Sequence, residues 1–362
     1  MGPVGQWSVL PGSELTASSA VWTGARPGGT GRYEMMVLAW SGGVLNTRGL
    51  FVQGRFVAGT FMVIFGGGHG DYGGNEVMAF GPLESASPAW SRLTDPTLPA
   101  PLDVPRIDGW PVSRHTYDTL VYLPNVNRML CVGAPGYYSR GFTFNSADLL
   151  SFNTNPSDGV PWSSADAGFP PFTGGGTINA VTGYDESTSL AWVLGQGNST
   201  RVGWFHEGTA EWRHWVIDNP QGPSNAKAAV ATGRHLLAFT TDLGELRALD
   251  LRARPRLFTP RLTGTPLPST RMSLEWDGVN RRFVGWTGTG GTLHAIEPPA
   301  GDPYEGGGDW TCQAITTTGG ASPPNQVTNG TFGRFRFWAT SSFSGVVLMA
   351  RHDQPLCFLR LS

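Results

Sequence analysis

Phe61-Met-Val-Ile-Phe-Gly-Gly-Gly68, Asn75-Glu-Val-Met-Ala-Phe80 and Trp90-Ser-Arg-Leu93 read as three consecutive β-strands. The first is an apolar run closed by glycines, the second ends on an aromatic residue, and the third opens with tryptophan. Short β-branched and aromatic runs bounded by turn residues carry the strand signal. The order returns in Arg128-Met-Leu-Cys-Val-Gly133, Asp148-Leu-Leu-Ser-Phe152 and Trp162, and the steps Phe80 to Trp90 and Phe152 to Trp162 both span ten residues. It returns again in Leu190–Gly195, Val202–Phe205 and Trp212–Trp215, and in Arg282–Trp286, Thr292–Ile296 and Trp310–Gln313. A weaker copy, His235–Phe239, Glu245–Leu249 and Arg256–Phe258, lacks the tryptophan.

Ahead of each copy lies one more strand-like segment: Glu34–Gly43, Arg114–Leu123, Asn179–Asp185, Ala226–Thr232 and Arg271–Asp277. Four strands repeated at this period mark an all-β propeller. A sixth copy, Thr331–Phe337, Gly345–Met349 and Leu356–Leu361, stops one strand short, and Gln6-Trp-Ser-Val-Leu10 supplies the missing tryptophan strand. Pairing of the N-terminal strand with the last blade closes the ring and removes an exposed edge. The expectation is one β-propeller domain over residues 1–362, with six four-stranded blades near 34–95, 112–164, 177–216, 225–260, 268–315 and 330–362 plus 6–10. The weak fourth copy and the long stretch Pro96–Pro111 leave counts of five or seven open.

Composition agrees with a chain that turns often, since 51 glycines and 28 prolines occur among 362 residues. Charged residues are only 14% while 40% are hydrophobic, which supports a large core and argues against disorder. A net charge of -2 gives no field to attract nucleic acid. No apolar stretch approaches the length of a membrane helix, so no membrane insertion is expected. Met1–Leu10 has neither the basic start nor the apolar run of a secretory signal. Cys131, Cys312 and Cys357 are odd in number and lie in strand-like segments, as buried free thiols would.

The repeats resemble kelch-type propellers such as the central domain of galactose oxidase, best over Trp40 to Trp162. Trp40-Ser-Gly-Gly43, the run Phe65–Glu76 and Arg114-His-Thr-Tyr-Asp118 are also similar to kelch-like proteins of bacteria and bacteriophages. That resemblance implies fold and setting. The copper chemistry of galactose oxidase is not implied, because no tyrosine here is followed by histidine.

Two segments concentrate reactive groups. Gly66–Glu76 holds His69, Asp71, Tyr72, Asn75 and Glu76 within a glycine-rich connection. His69, Asp71 and Glu76 could ligate a divalent cation, although no cofactor is expected; a tight hairpin with local hydrogen bonds is the alternative. Arg114-His115-Thr116-Tyr117-Asp118 reads as the start of an inner strand, where alternation would put Arg114, Thr116 and Asp118 on one face and His115 and Tyr117 on the other. Arg271 and Arg334 occupy comparable positions. If these arginines converge they suit an anionic ligand; if they pair with carboxylates they hold blades together. Tyr137 and Tyr138 are loop aromatics suited to stacking on a sugar, whereas Trp7, Trp90, Trp162, Trp212 and Trp310 are expected between blades.

The function expected is non-enzymatic: a recognition or structural propeller, virion-borne or extracellular, that binds a surface glycan or a protein partner. A bacteriophage appendage or receptor-binding component fits, and neighbouring virion proteins are then further partners. The alternative is a lyase or hydrolase of acidic glycans using His69, Arg114, His115 and Tyr117.

Overall fold

A computed structural model describes residues 2–16, 41–67, 74–97, 106–133, 146–172, 180–195, 201–217, 227–252, 255–327 and 330–362. Six antiparallel sheets follow the chain. Blade 1 comprises Gly42–Asn46, Phe61–Phe65, Val77–Gly81 and Ala89–Arg92, and blade 2 comprises Leu120–Leu123, Arg128–Gly133, Ser146–Ser151 and Trp162–Ser164. Blade 3 is Val181–Asp185, Leu190–Leu194, Arg201–His206 and Glu211–Val216; blade 4 is Ala229–Ala231, Leu236–Thr240, Leu246–Asp250 and Arg256–Phe258. Blade 5 is Ser273–Asp277, Arg282–Trp286, Leu293–Glu297 and Trp310–Ile315, with Leu262–Gly264 added in parallel outside Trp310. Blade 6 is Phe335–Ala339, Ser344–Leu348 and Cys357–Arg360, completed by Trp7–Val9.

Closure is set by register: Trp7 faces Leu359 and Val9 faces Cys357 in an antiparallel pair. Leu10 donates its amide to the Leu356 carbonyl at 2.8 Å, and Leu15 donates to His352 at 2.7 Å. Each inner strand contacts the next around the axis, and the blade 6 strand contacts that of blade 1. The fold is thus a β-propeller of six four-stranded blades.

A middle strand is covered on both faces by its neighbours, which is why runs such as Phe61–Phe65 and Ser344–Leu348 are buried at every position instead of alternating. Six clusters of buried apolar residues fill the six gaps between blades. The fourth-strand tryptophans serve these gaps: Trp162 packs between blades 1 and 2, Trp212 between 2 and 3, Trp310 between 4 and 5, and Trp7 between 5 and 6. Trp90 packs against the gap between blades 6 and 1. Blade 4 has Leu257 at this place, and the gap beside it is filled by Trp192 with Trp204 and Trp215 packed against it. Centroids of the last two lie 4.1 Å apart. Indole N–H groups still need acceptors when buried; Trp7 donates to the Gly291 carbonyl at 2.8 Å and Trp212 to Ala165 at 2.7 Å.

Two local expectations need correction. The inner strand of blade 1 is Gly42–Asn46, not the more apolar Glu34–Gly43, whose residues 34–40 lie outside the described residues. Glycine is required at its start, because a Cβ on Gly42 would lie 2.4 Å from the Tyr117 carbonyl oxygen. Arg114–Asp118 does not begin a regular strand either. Tyr117 has φ 33, a left-handed conformation that breaks alternation, and the strand starts at Leu120. Cys131, Cys312 and Cys357 are free and buried, and burial pushes the Cys131 thiol up to about 12. Among the described residues no helix is long and apolar enough to cross a membrane.

Candidate functional site

The axis divides into two zones. At the end where the inner strands begin, charged side chains are buried or largely buried and paired with one another. Asp118, fully buried, accepts the amides of Ala228 at 2.9 Å and Thr182 at 3.2 Å. Its other oxygen lies 3.9 Å from Lys227. Lys227, the single lysine of the chain, is 1% exposed and donates to the Leu274 and Ala228 carbonyls. It also meets the Glu275 carboxylate at 2.5 Å. Glu275 in turn binds Arg336 at 3.1 Å, and Arg336 donates to the Gly43 and Leu120 carbonyls. This clasp of Asp118, Lys227, Glu275 and Arg336 therefore touches all six blades. Burial pushes the Asp118 carboxyl up to about 6, against the pull of Lys227 and Arg336, and burial lowers the Lys227 ammonium.

Beyond the clasp, toward the ends of the inner strands, an axial cavity of about 740 Å³ opens. Glu275, Arg336 and Thr182 lie at its clasp side, and Tyr122, Tyr184, Trp276 and Phe337 supply aromatic lining. Turn residues Thr47, Glu186, Arg234 and Arg281 complete it. The aromatic positions follow from one feature of the repeat. Tyr184 and Trp276 precede Asp185 and Asp277, whose carboxylates accept the amides of Ser187 and Asn280 and so shape the turns after their strands. Tyr184 donates its hydroxyl to Glu207, which also accepts from Asn125 of blade 2. The phenol is fixed across the blade 2–3 gap, and burial with Glu207 raises its pKa.

The residues singled out from sequence fall in several places. Arg114 is fully buried and pairs with Asp148 at 2.9 Å while donating to the Ser146 hydroxyl; it does not line the cavity. Arg106 joins the same carboxylate and reaches Asp166. Thr116 accepts from the Gly42 amide and donates to the Phe65 carbonyl, both at 2.6 Å, stitching blade 2 to blade 1. His115 and Tyr117 are buried with ring centroids 5.5 Å apart, and Tyr117 packs edge-on against Phe332.

Arg334 is fully buried and donates to the carbonyls of Ser41, Gly330 and Met349; burial pulls its guanidinium down to about 9. Arg271 pairs with Asp242 at 3.6 Å. Asn75 donates to the Thr97 hydroxyl and the Pro111 carbonyl, and Glu76 beside it is buried. His69, Asp71, Tyr72, Tyr137 and Tyr138 lie outside the described residues. Among the described residues there is no group of three or more His, Cys, Asp or Glu able to hold a metal. Trp276, Tyr122, Tyr184, Arg234 and Arg281 were not anticipated as lining residues. Their common signal is position, in the last residues of an inner strand or the turn that follows it.

No family model matches the sequence, and no curated protein matches it. Solved structures do. The structure of YjhT aligns with TM-score 0.50 and 10% identity over 88% of this chain and 93% of that one. An auxiliary nutrient binding protein from Bacteroides ovatus aligns with TM-score 0.45 and 10% identity over 88% and 84%. A fungal alcohol oxidase of the AA5 family, in complex with copper, aligns with TM-score 0.46 and 12% identity over 89% of this chain and 62% of that one. At 10% identity the likeness to YjhT concerns the fold alone.

Proposed function

We propose that this propeller is a non-enzymatic recognition module that takes part of a surface glycan into its axial cavity. The observation that carries this reading is the cavity itself: about 740 Å³ on the axis, inside the roughly 300–1,000 Å³ span of ligand sites. Flat rings at Tyr122, Tyr184 and Trp276 offer stacking faces to a sugar, while Thr182, Glu275 and Arg336 offer hydrogen-bonding groups. A rigid, closed ring presents these groups with little loss of conformational freedom on binding. The resemblance to kelch-like proteins of bacteriophages suggests the setting, an extracellular or virion-borne part that meets a bacterial surface.

A glycan array followed by calorimetry tests the reading. Trp276→Ala should lower affinity for any glycan hit at least about tenfold without unfolding the protein. Binding that survives this change undiminished places the ligand elsewhere. Adsorption of the labelled protein to intact bacteria, lost when surface polysaccharide is stripped, tests the setting; adsorption that persists points to a protein partner.

A further inference from the structure

The mouth of the cavity carries two cations that have no carboxylate partner among the described residues. Arg234, in the turn between Ala231 and Leu236, donates Nη2 to the carbonyls of Pro299 at 2.6 Å and Gly301 at 3.4 Å. Its own carbonyl accepts the Tyr304 hydroxyl at 2.6 Å. The loop of blade 5 thus anchors this arginine from outside while the residue still lines the cavity. Arg281, in the turn of blade 5, is exposed, has φ 56, and makes no hydrogen bond or ion pair among the described residues. Both arginines line the same cavity, and burial first, then the charge of Arg281, lowers the Arg234 guanidinium. Glu186, also at the mouth, forms an ion pair with neither within 4 Å. Nearby arginines are treated differently: Arg282 meets Asp277 at 3.2 Å, Arg252 meets Asp250 at 2.7 Å and Arg336 meets Glu275 at 3.1 Å.

Like charges held together cost free energy unless an anion sits between them, and paired guanidiniums suit carboxylate or sulfate oxygens. Resting on the cavity reading above, we propose that the glycan is acidic, with a uronate carboxylate or a sulfate ester held between Arg234 and Arg281 and the adjoining ring against Trp276. Glu275 and Arg336 neutralise each other at the clasp side, so the anion's place is the mouth and not the floor.

Matched polymers test this. Polygalacturonate and its methyl ester differ only in the carboxylate, and dextran sulfate and dextran differ only in the sulfate. Titration of the wild-type protein should show binding of one or both acidic polymers, weakened at least about tenfold as sodium chloride rises from about 50 to about 300 mM, and no binding of the neutral partners. Arg281→Gln and Arg234→Gln should each weaken the acidic interaction about tenfold.

Neutral polymers binding as tightly as acidic ones, or Arg281→Gln leaving affinity unchanged, overturns the anion assignment and leaves the cavity reading standing if Trp276→Ala still abolishes binding. Loss in the arginine variants with no loss in Trp276→Ala keeps the anion site and removes the cavity reading. No binding of any of the four polymers overturns the assignment to uronate or sulfate.

Discussion

Arg114 and Arg334 at one end of the axis and Arg234 and Arg281 at the other are the same residue in opposite employment. The first two are completely buried, and their donors go to Asp148, Ser146 and backbone carbonyls. The second two stand at the cavity mouth, one held from behind by carbonyls and one without a partner among the described residues. A buried charge must be matched within the protein or the state that buries it is lost. A charge at a wet rim carries no such obligation, so it is available to a ligand. What separates the two ends of this axis is desolvation, not residue type.

That contrast breaks first at Lys227. Lys227→Met removes the ammonium between Asp118 and Glu275 and leaves the fully buried Asp118 without its nearest cation. The expected loss is about 3–5 kcal/mol, read as a fall in the urea midpoint at constant slope. A loss below about 1 kcal/mol would show that the clasp does not hold the ring. A second, smaller effect sharpens the comparison through pH. Asp118 is raised in the folded state from an ordinary carboxylate value to about 6, so its proton is bound more tightly folded than unfolded. Its contribution to stability is complete below about pH 4 and is lost as pH rises through about 6. The stability of the wild type relative to Asp118→Asn should therefore fall between about pH 4.5 and 7.5; a rise across that window contradicts the burial argument. The smallest effect belongs to the rim: Arg281→Gln should change the unfolding free energy by less than about 0.5 kcal/mol, whatever it does to an acidic glycan.

Repetition made most of the fold readable. The tryptophan strands recur at the same place in five blades, and the strand Gln6–Leu10 could be assigned to the last blade because it carries the same mark. The inner strand of blade 1 was misplaced because Gly42-Gly43-Val44 looks like a turn, and only the approach of the Tyr117 carbonyl explains the first glycine. The site was less readable for a related reason. The pairs Arg114 with Asp148 and Lys227 with Glu275 join residues distant in sequence, and nothing local tells a buried arginine from a rim arginine. Lys227 is the lone lysine of the sequence, but its meaning depends on an axis that exists only once six sheets are assembled. The segments Asn179–Asp185 and Arg271–Asp277 put Tyr184 and Trp276 at strand ends; that these ends surround one space is a property of the ring.

Strand Trp7–Val9 lies antiparallel to Cys357–Arg360, and the Gly5 amide donates to the Arg360 carbonyl at 2.9 Å. The segments that lead away from this pair therefore leave side by side from the same end. Tension applied between them loads the hydrogen bonds one after another, as in a zipper, rather than all at once in shear. Mechanically this junction opens by peeling, although the indole of Trp7 beneath it is among the most deeply packed groups in the molecule.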